Sequence, residues 1–136
     1  MEEDQEIEST LKMLADYMEG GYLENIIDLF RHDKSYYPFI GRLFGDERQA
    51  VRIGTMALVE TLLEEHGDDI FSAIPGIAAL LKDTNPTIRG DAAHLLGIIG
   101  HEDALPFLRD AVNDEHYLVR ETVEEAIEEI KNSGSG

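Results

Sequence analysis

One proline, one aspartate and one arginine recur at fixed spacing three times, and a repeat of that kind restricts the available folds more than any other feature of the chain. Pro38, Asp46 and Arg52 are matched by Pro75, Asp83 and Arg89, and again by Pro106, Asp114 and Arg120. In each copy the step from Pro to Asp is 8 residues and from Asp to Arg 6, with Val51, Ile88 or Val119 before the Arg. The prolines stand 37 and then 31 residues apart. The longer unit gains its length over 62–69, where its second helix is expected to run on. A unit this short cannot bury an apolar stripe alone, so neighbours must stack on one another.

Periodicity says what each unit is. Ile88, Ala92, Leu95, Leu96 and Ile99 recur at steps of three and four, one face of a helix. Val51, Thr55, Leu58, Val59 and Leu62 repeat the pattern, as do Val119, Val123, Ala126, Ile127 and Ile130. Apolar and polar residues do not alternate between hairpin turns, so strands are not expected. Asn85 before Pro86 reads as an N-cap followed by proline in the first helical position. Gly20-Gly21, Gly67 and Gly100 mark helix stops. Helices are predicted over about 4–19, 22–32, 35–45, 47–66, 69–82, 86–99, 102–112 and 116–131, with a bend at Pro75 inside the fifth.

These residues resemble HEAT repeats, and Arg89-Gly-Asp-Ala-Ala-His-Leu-Leu-Gly-Ile-Ile-Gly100 is similar to the second helix of the type named after phycobilisome lyases. The resemblance covers roughly residues 35–130. It implies an all-α fold, a short right-handed α–α superhelix of about four hairpins and eight helices. It also implies a structural ladder between neighbouring repeats, made by Asp46, Asp83 and Asp114 with Arg52, Arg89 and Arg120. The expected organisation is a single domain over 1–131, with repeats at about 35–66, 69–99 and 102–131. A degenerate copy over 4–32 sets Leu11, Glu19 and Asn25 at the Pro, Asp and Arg positions. Ile7, Leu11, Leu14 and Met18 form the apolar side of an otherwise polar first helix, and Glu121, Glu124, Glu125, Glu128 and Glu129 cover the outside of the last. Both ends therefore read as caps of a complete domain. Residues 132–136 have the composition of an appended flexible linker.

Composition narrows the function classes. The chain of 136 residues has no cysteine, which removes disulfides and thiolate ligands. Twenty-nine acids against eleven bases give a formal net charge of −18, a surface that repels phosphate. Nucleic acid and anionic membranes are not expected partners. The acidity serves either solubility alone or a partner protein with a basic surface. The N-terminus lacks the basic and apolar regions of a secretory signal, and a cytoplasmic, monomeric protein is expected.

The residues that could carry chemistry are few. Glu65-His66, His101-Glu102 and Glu115-His116 pair histidine with acid at helix ends, where such groups cap backbone. One HEAT family, deoxyhypusine hydroxylase, holds two irons with His-Glu pairs directly after the second-helix Arg. Those positions here are Ile53-Gly54, Gly90-Asp91 and Glu121-Thr122. Asp91 and His94 share a helix face, a surface pair, a partner contact or two of the three or four ligands that a metal site needs. Ser9, Ser35, Ser72 and Ser133 lack a nucleophile frame. No catalytic residue, metal or cofactor is expected.

The resulting expectation is a non-enzymatic protein–protein adaptor or scaffold that uses the concave face of its second helices. Positions one and five after each Arg place Ile53, Ala57, Gly90, His94, Glu121 and Glu125 on that face, with Asp91 beside them. Two alternatives stand beside it. One is a lyase or chaperone-like accessory of a cofactor-bearing protein. The other is a HEAT-type nucleic-acid enzyme, disfavoured by the net charge.

Overall fold

The computed structural model describes residues 2–134. All regular elements among them are helical. The chain divides into two compact units, one ending at Ile70 and the other beginning at Phe71; the repeat spacing marks no boundary there. Each unit holds two helical hairpins.

The first unit contains α1 (Glu2–Glu19), α2 (Leu23–His32), α3 (Ile40–Phe44) and α4 (Gln49–Ile70). Its centre is α4, which packs on the other three. Val51, Thr55, Leu58, Val59 and Leu62 are buried on it, with Leu11, Leu14 and Met18 of α1 and Ile26, Ile27 and Phe30 of α2. Ile7 has 37 % of its surface exposed and lies at the edge of that stripe. Of Tyr36, Tyr37 and Phe39 at the start of the second hairpin, Tyr37 is buried and stacks on Phe30 at 6.0 Å between ring centres. Arg48 binds Asp46, Asp16 and Glu19, tying the end of α1 to the loop before α4. Arg31 makes a two-pronged bond to Glu65 at 2.8 and 2.7 Å.

The second unit contains α5 (Ile74–Ala79), α6 (Pro86–Ile99), α7 (Leu105–Asp110) and α8 (Tyr117–Gly134). Helices α6 and α8 run side by side in the same direction. Arg89 near the start of α6 reaches Asp114 just before α8, and Gly97 near the end of α6 faces Ala126 and Glu129. The predicted stripes of both helices face inward: all five α6 positions are buried, and on α8 only Ile127 is partly exposed. Asn85 caps α6 by accepting the Thr87 N–H at 2.9 Å, and Gly100 ends it at φ +73°, a conformation that a Cβ would strain.

The first helices depart from the predicted bounds for one reason. The predicted 35–45 is a 3-10 turn over Lys34–Phe39 followed by α3, and 102–112 is a 3-10 turn over Glu102–Ala104 followed by α7. The predicted 69–82 is the end of α4, a 3-10 turn over Phe71–Ala73, α5, and a second 3-10 turn over Leu80–Lys82. Pro75 and Pro106 are the second residues of α5 and α7, in the first turn, where the missing N–H has no intrahelical partner to lose. Pro38 stands instead inside its 3-10 turn, one residue before the turn ends. Pro75 and Pro106 therefore mark a change of helix type, and the bend anticipated at Pro75 is such a junction. The stop expected at Gly67 is a kink: His66 leaves helical geometry at φ −144° and ψ 56°, and the helix resumes to Ile70. At the C-terminus, 132–134 continue α8 where a flexible tail is expected from composition; residues 135 and 136 lie outside the described residues.

Candidate functional site

The repeated Asp and Arg build one local device three times. Each aspartate accepts a backbone N–H two residues on: Asp46 from Arg48, Asp83 from Asn85, Asp114 from His116, all at 2.8–2.9 Å. Each arginine folds back and donates to the carbonyl of the aspartate six residues before it: Arg52 to Asp46 at 2.7 Å, Arg89 to Asp83 at 2.8 Å, Arg120 to Asp114 at 2.8 Å. The six-residue spacing is the reach of this clamp, which holds the loop entering each second helix. In the second unit Arg89 also grips the Asp114 carboxylate with two bonds, at 2.8 and 3.1 Å, and both side chains are over 90 % buried.

Burial alone would raise the Asp114 pKa. The Arg89 guanidinium and the His116 N–H outweigh it and hold the carboxyl below the usual carboxylate value. Asp46 follows the same rule, with burial opposed by Arg48 and Arg52. A depressed native pKa adds stability above the unfolded value of about 3.9, lost as pH falls through the native value. Urea midpoints are therefore expected to hold steady from about pH 7 to 5 and drop below about pH 4. Asp114→Asn should flatten part of that drop.

Holding the loop in this way sets the start of α8 against α6 and leaves a groove of about 380 Å³ between the two helices. From α6 it is lined by Pro86, Thr87, Gly90, Asp91 and His94. From the α8 side it is lined by His116, Leu118, Val119, Thr122 and Glu125. No lysine or arginine is among these lining residues, while two carboxylates are. At Gly90 an added Cβ would meet nothing within 4 Å, so packing does not require glycine there. His116 caps α8 by accepting the Leu118 N–H at 3.2 Å, and the neighbouring Tyr117 ring stacks on it at 5.4 Å and 10°. His101 likewise accepts the Asp103 N–H.

Four residues that the spacing places on a binding face, Gly90, Asp91, His94 and Glu125, are thus brought together in one groove. Glu121 is exposed on α8 but outside the lining. Ile53, 63 % exposed, and Ala57 lie on α4 in the first unit. Sequence spacing misses His116, Leu118 and Thr122, because counting along one helix does not say which residues a second helix sets opposite.

The model for HEAT repeats matches residues 37–128, well over half of the chain. The chain belongs to the HEAT-repeat family. A curated deoxyhypusine hydroxylase from Xenopus laevis is 42 % identical over 67 residues, which is 46 % of this chain and 22 % of that protein. This HEAT-repeat chain therefore spans less than a quarter of its relative's length. No solved structure matches it. The relative overturns the expectation of a non-enzymatic protein: a curated enzyme is 42 % identical to it over nearly half of the chain. The irons of that enzyme family are another matter. At the positions where its His-Glu pairs stand, this chain holds Ile53-Gly54, Gly90-Asp91 and Glu121-Thr122. Among the described residues no group of three or more His, Cys, Asp or Glu is placed to hold a metal. The residues present do not fit an iron pair. No helix among the described residues is long and apolar enough to cross a membrane.

Proposed function

We propose that this HEAT-repeat scaffold binds a basic segment of a partner protein in the groove between α6 and α8. One observation carries the reading: a groove lined by Asp91 and Glu125, without lysine or arginine, is left open at Gly90, where glycine costs helix stability and packing does not need it. Glycine inside a helix is about 1 kcal/mol less favourable than alanine, so access to the backbone is the remaining reason for it. The net charge of −18 supports a basic partner by steering it toward the surface. The same charge sets like copies to repel one another, which supports a monomeric protein. The twelve residues from Arg89 to Gly100 support placing the repeats in the phycobilisome-lyase type.

The test is fluorescence anisotropy with labelled basic and acidic peptides of equal length. The basic peptide is expected to bind and to weaken steeply as salt rises toward about 0.5 M, a change that the acidic peptide does not show. Gly90→Trp fills the groove and is expected to cost about tenfold in affinity with the thermal midpoint kept, which circular dichroism checks. Unchanged affinity in that variant rules the groove out.

The match to deoxyhypusine hydroxylase favours a second reading, that the chain hydroxylates deoxyhypusine as that relative's name states. Incubation with a deoxyhypusine-bearing protein, ferrous iron, dioxygen and a chemical reductant, read by mass spectrometry, decides it. Gain of one oxygen atom establishes the activity, and an unchanged mass removes it.

A further inference from the structure

Resting on the groove reading, we infer that the groove releases its basic segment as the solution acidifies, with His94 and His116 sensing the change. His94 lines it from α6 and His116 from the residue just before α8. Among the described residues, the other titratable groups in the lining are Asp91 of α6 and Glu125 of α8. Helices α5 and α7 and the 3-10 turns packed on α6 and α8 contribute no residue to it. With both imidazoles neutral, two carboxylates stand there without a cation. With both protonated, two cations oppose them and the attraction for a basic group is cancelled. A groove of about 380 Å³ is comparable in width with the screening length of about 8 Å at physiological salt, so charges on either wall act on its occupant. Histidine ordinarily changes charge between about pH 5 and 8, whereas carboxylates ordinarily do so nearer about pH 4. A bound cation disfavours imidazolium, so binding expels protons and weakens as pH falls.

His116 adds a second effect. Its Nδ1 accepts the Leu118 N–H at 3.2 Å, so the neutral ring carries no proton there. Protonation puts an N–H on Nδ1 and removes the cap at Leu118, which also lines the groove. Around His116 stand the Asp114 carboxylate, which accepts its backbone N–H, and the Arg89 guanidinium that grips that carboxylate. Arg89 also lies 3.7 Å from Glu115, and the Tyr117 ring stacks on the imidazole. Arg89 keeps Asp114 ionised, so that pair holds its charges while the histidines change theirs.

A labelled, acetylated Gly-Ser peptide bearing four arginines tests this, because arginine keeps its charge throughout the range. Anisotropy is read at about pH 7.5 and about pH 5.5, at one ionic strength. The chains compared are wild type, Gly90→Trp, His94→Gln, and the double variant His94→Gln with His116→Asn. Asparagine retains a cap for α8 without titrating. Wild type is expected to bind about tenfold more weakly at the lower pH, and the double variant to change by less than about twofold. His94→Gln alone, at an exposed position, is expected to change by about threefold. Circular dichroism checks folding at both pH values, and His94→Gln carries the test if the double variant does not fold. An unchanged wild-type affinity, or an equal fall in wild type and the histidine variants, overturns the inference. If Gly90→Trp still weakens binding at the higher pH, the groove reading stands. Binding to Gly90→Trp as tight as to wild type overturns the groove reading and this inference with it, as does no binding of the peptide to wild type.

Discussion

Replacing Arg89 by alanine is expected to lower the unfolding free energy by about 3–5 kcal/mol, the largest loss of any single charged residue in the described chain. The size follows from what remains behind. Asp114 keeps its carboxylate in a place where less than a tenth of its surface is exposed, and loses both bonds from the guanidinium. The carbonyl of Asp83 loses its donor as well. The corresponding change Arg52→Ala is expected to cost only about 1 kcal/mol, since Arg52 is half-buried and its bonds go to the carbonyls of Asp46 and Glu47. Urea unfolding of the two variants provides the comparison. Equal losses would mean that the shared backbone clamp, and not the Arg89–Asp114 pair, holds the loops. In the double variant Arg89→Ala with Asp114→Ala, part of the loss should return, because no unpaired charge stays buried.

Gly97→Leu is expected to destabilise the second unit by about 3 kcal/mol or more, while Gly90→Leu in the same helix is expected to be neutral or slightly stabilising. A Cβ at Gly97 would stand 2.8 Å from a Glu129 carboxylate oxygen and 3.1 Å from Cα and Cβ of Ala126. The carboxylate can swing aside, but the Ala126 backbone moves only if α8 moves. The two helices touch here because neither partner has bulk. At Gly90 an added Cβ meets nothing within 4 Å, so a side chain improves helix propensity without forcing α8 to move. Thermal midpoints of the two variants separate the cases. A Gly97→Leu protein as stable as the wild type would show that the α6–α8 contact yields freely.

The stripes on α4, α6 and α8 are legible in the amino-acid sequence because a period near 3.6 states which residues face inward. Burial of Val51, Leu58, Leu95 and Val123 follows directly. Asn85-Pro86 announces its cap in the same way. The first helices are overdrawn because propensity does not separate 3-10 from α geometry across a proline such as Pro38 or Pro106. The boundary after Ile70 carries no turn signal of its own, since the kink at His66 adjoins a glycine that looks like a simple stop. The α6 wall can be read from Gly90, Asp91 and His94, while of the α8 wall only Glu125 is legible, since the rest depends on the register of α8 beside α6. The tie to an enzyme comes from likeness to a second protein over 67 residues, which one sequence read by itself does not display.

The proline-marked junctions have a consequence for how order spreads through the chain. Helices α3, α5 and α7 are only 5, 6 and 6 residues long, far below the about 12–15 at which a free helix becomes even marginal. None can nucleate by itself. The 14 residues of α6 and the 18 of α8 are long enough to persist briefly and offer an apolar template. The short segments are thus followers, shaped by the surface on which they land, and the instruction for their conformation is written in their neighbours.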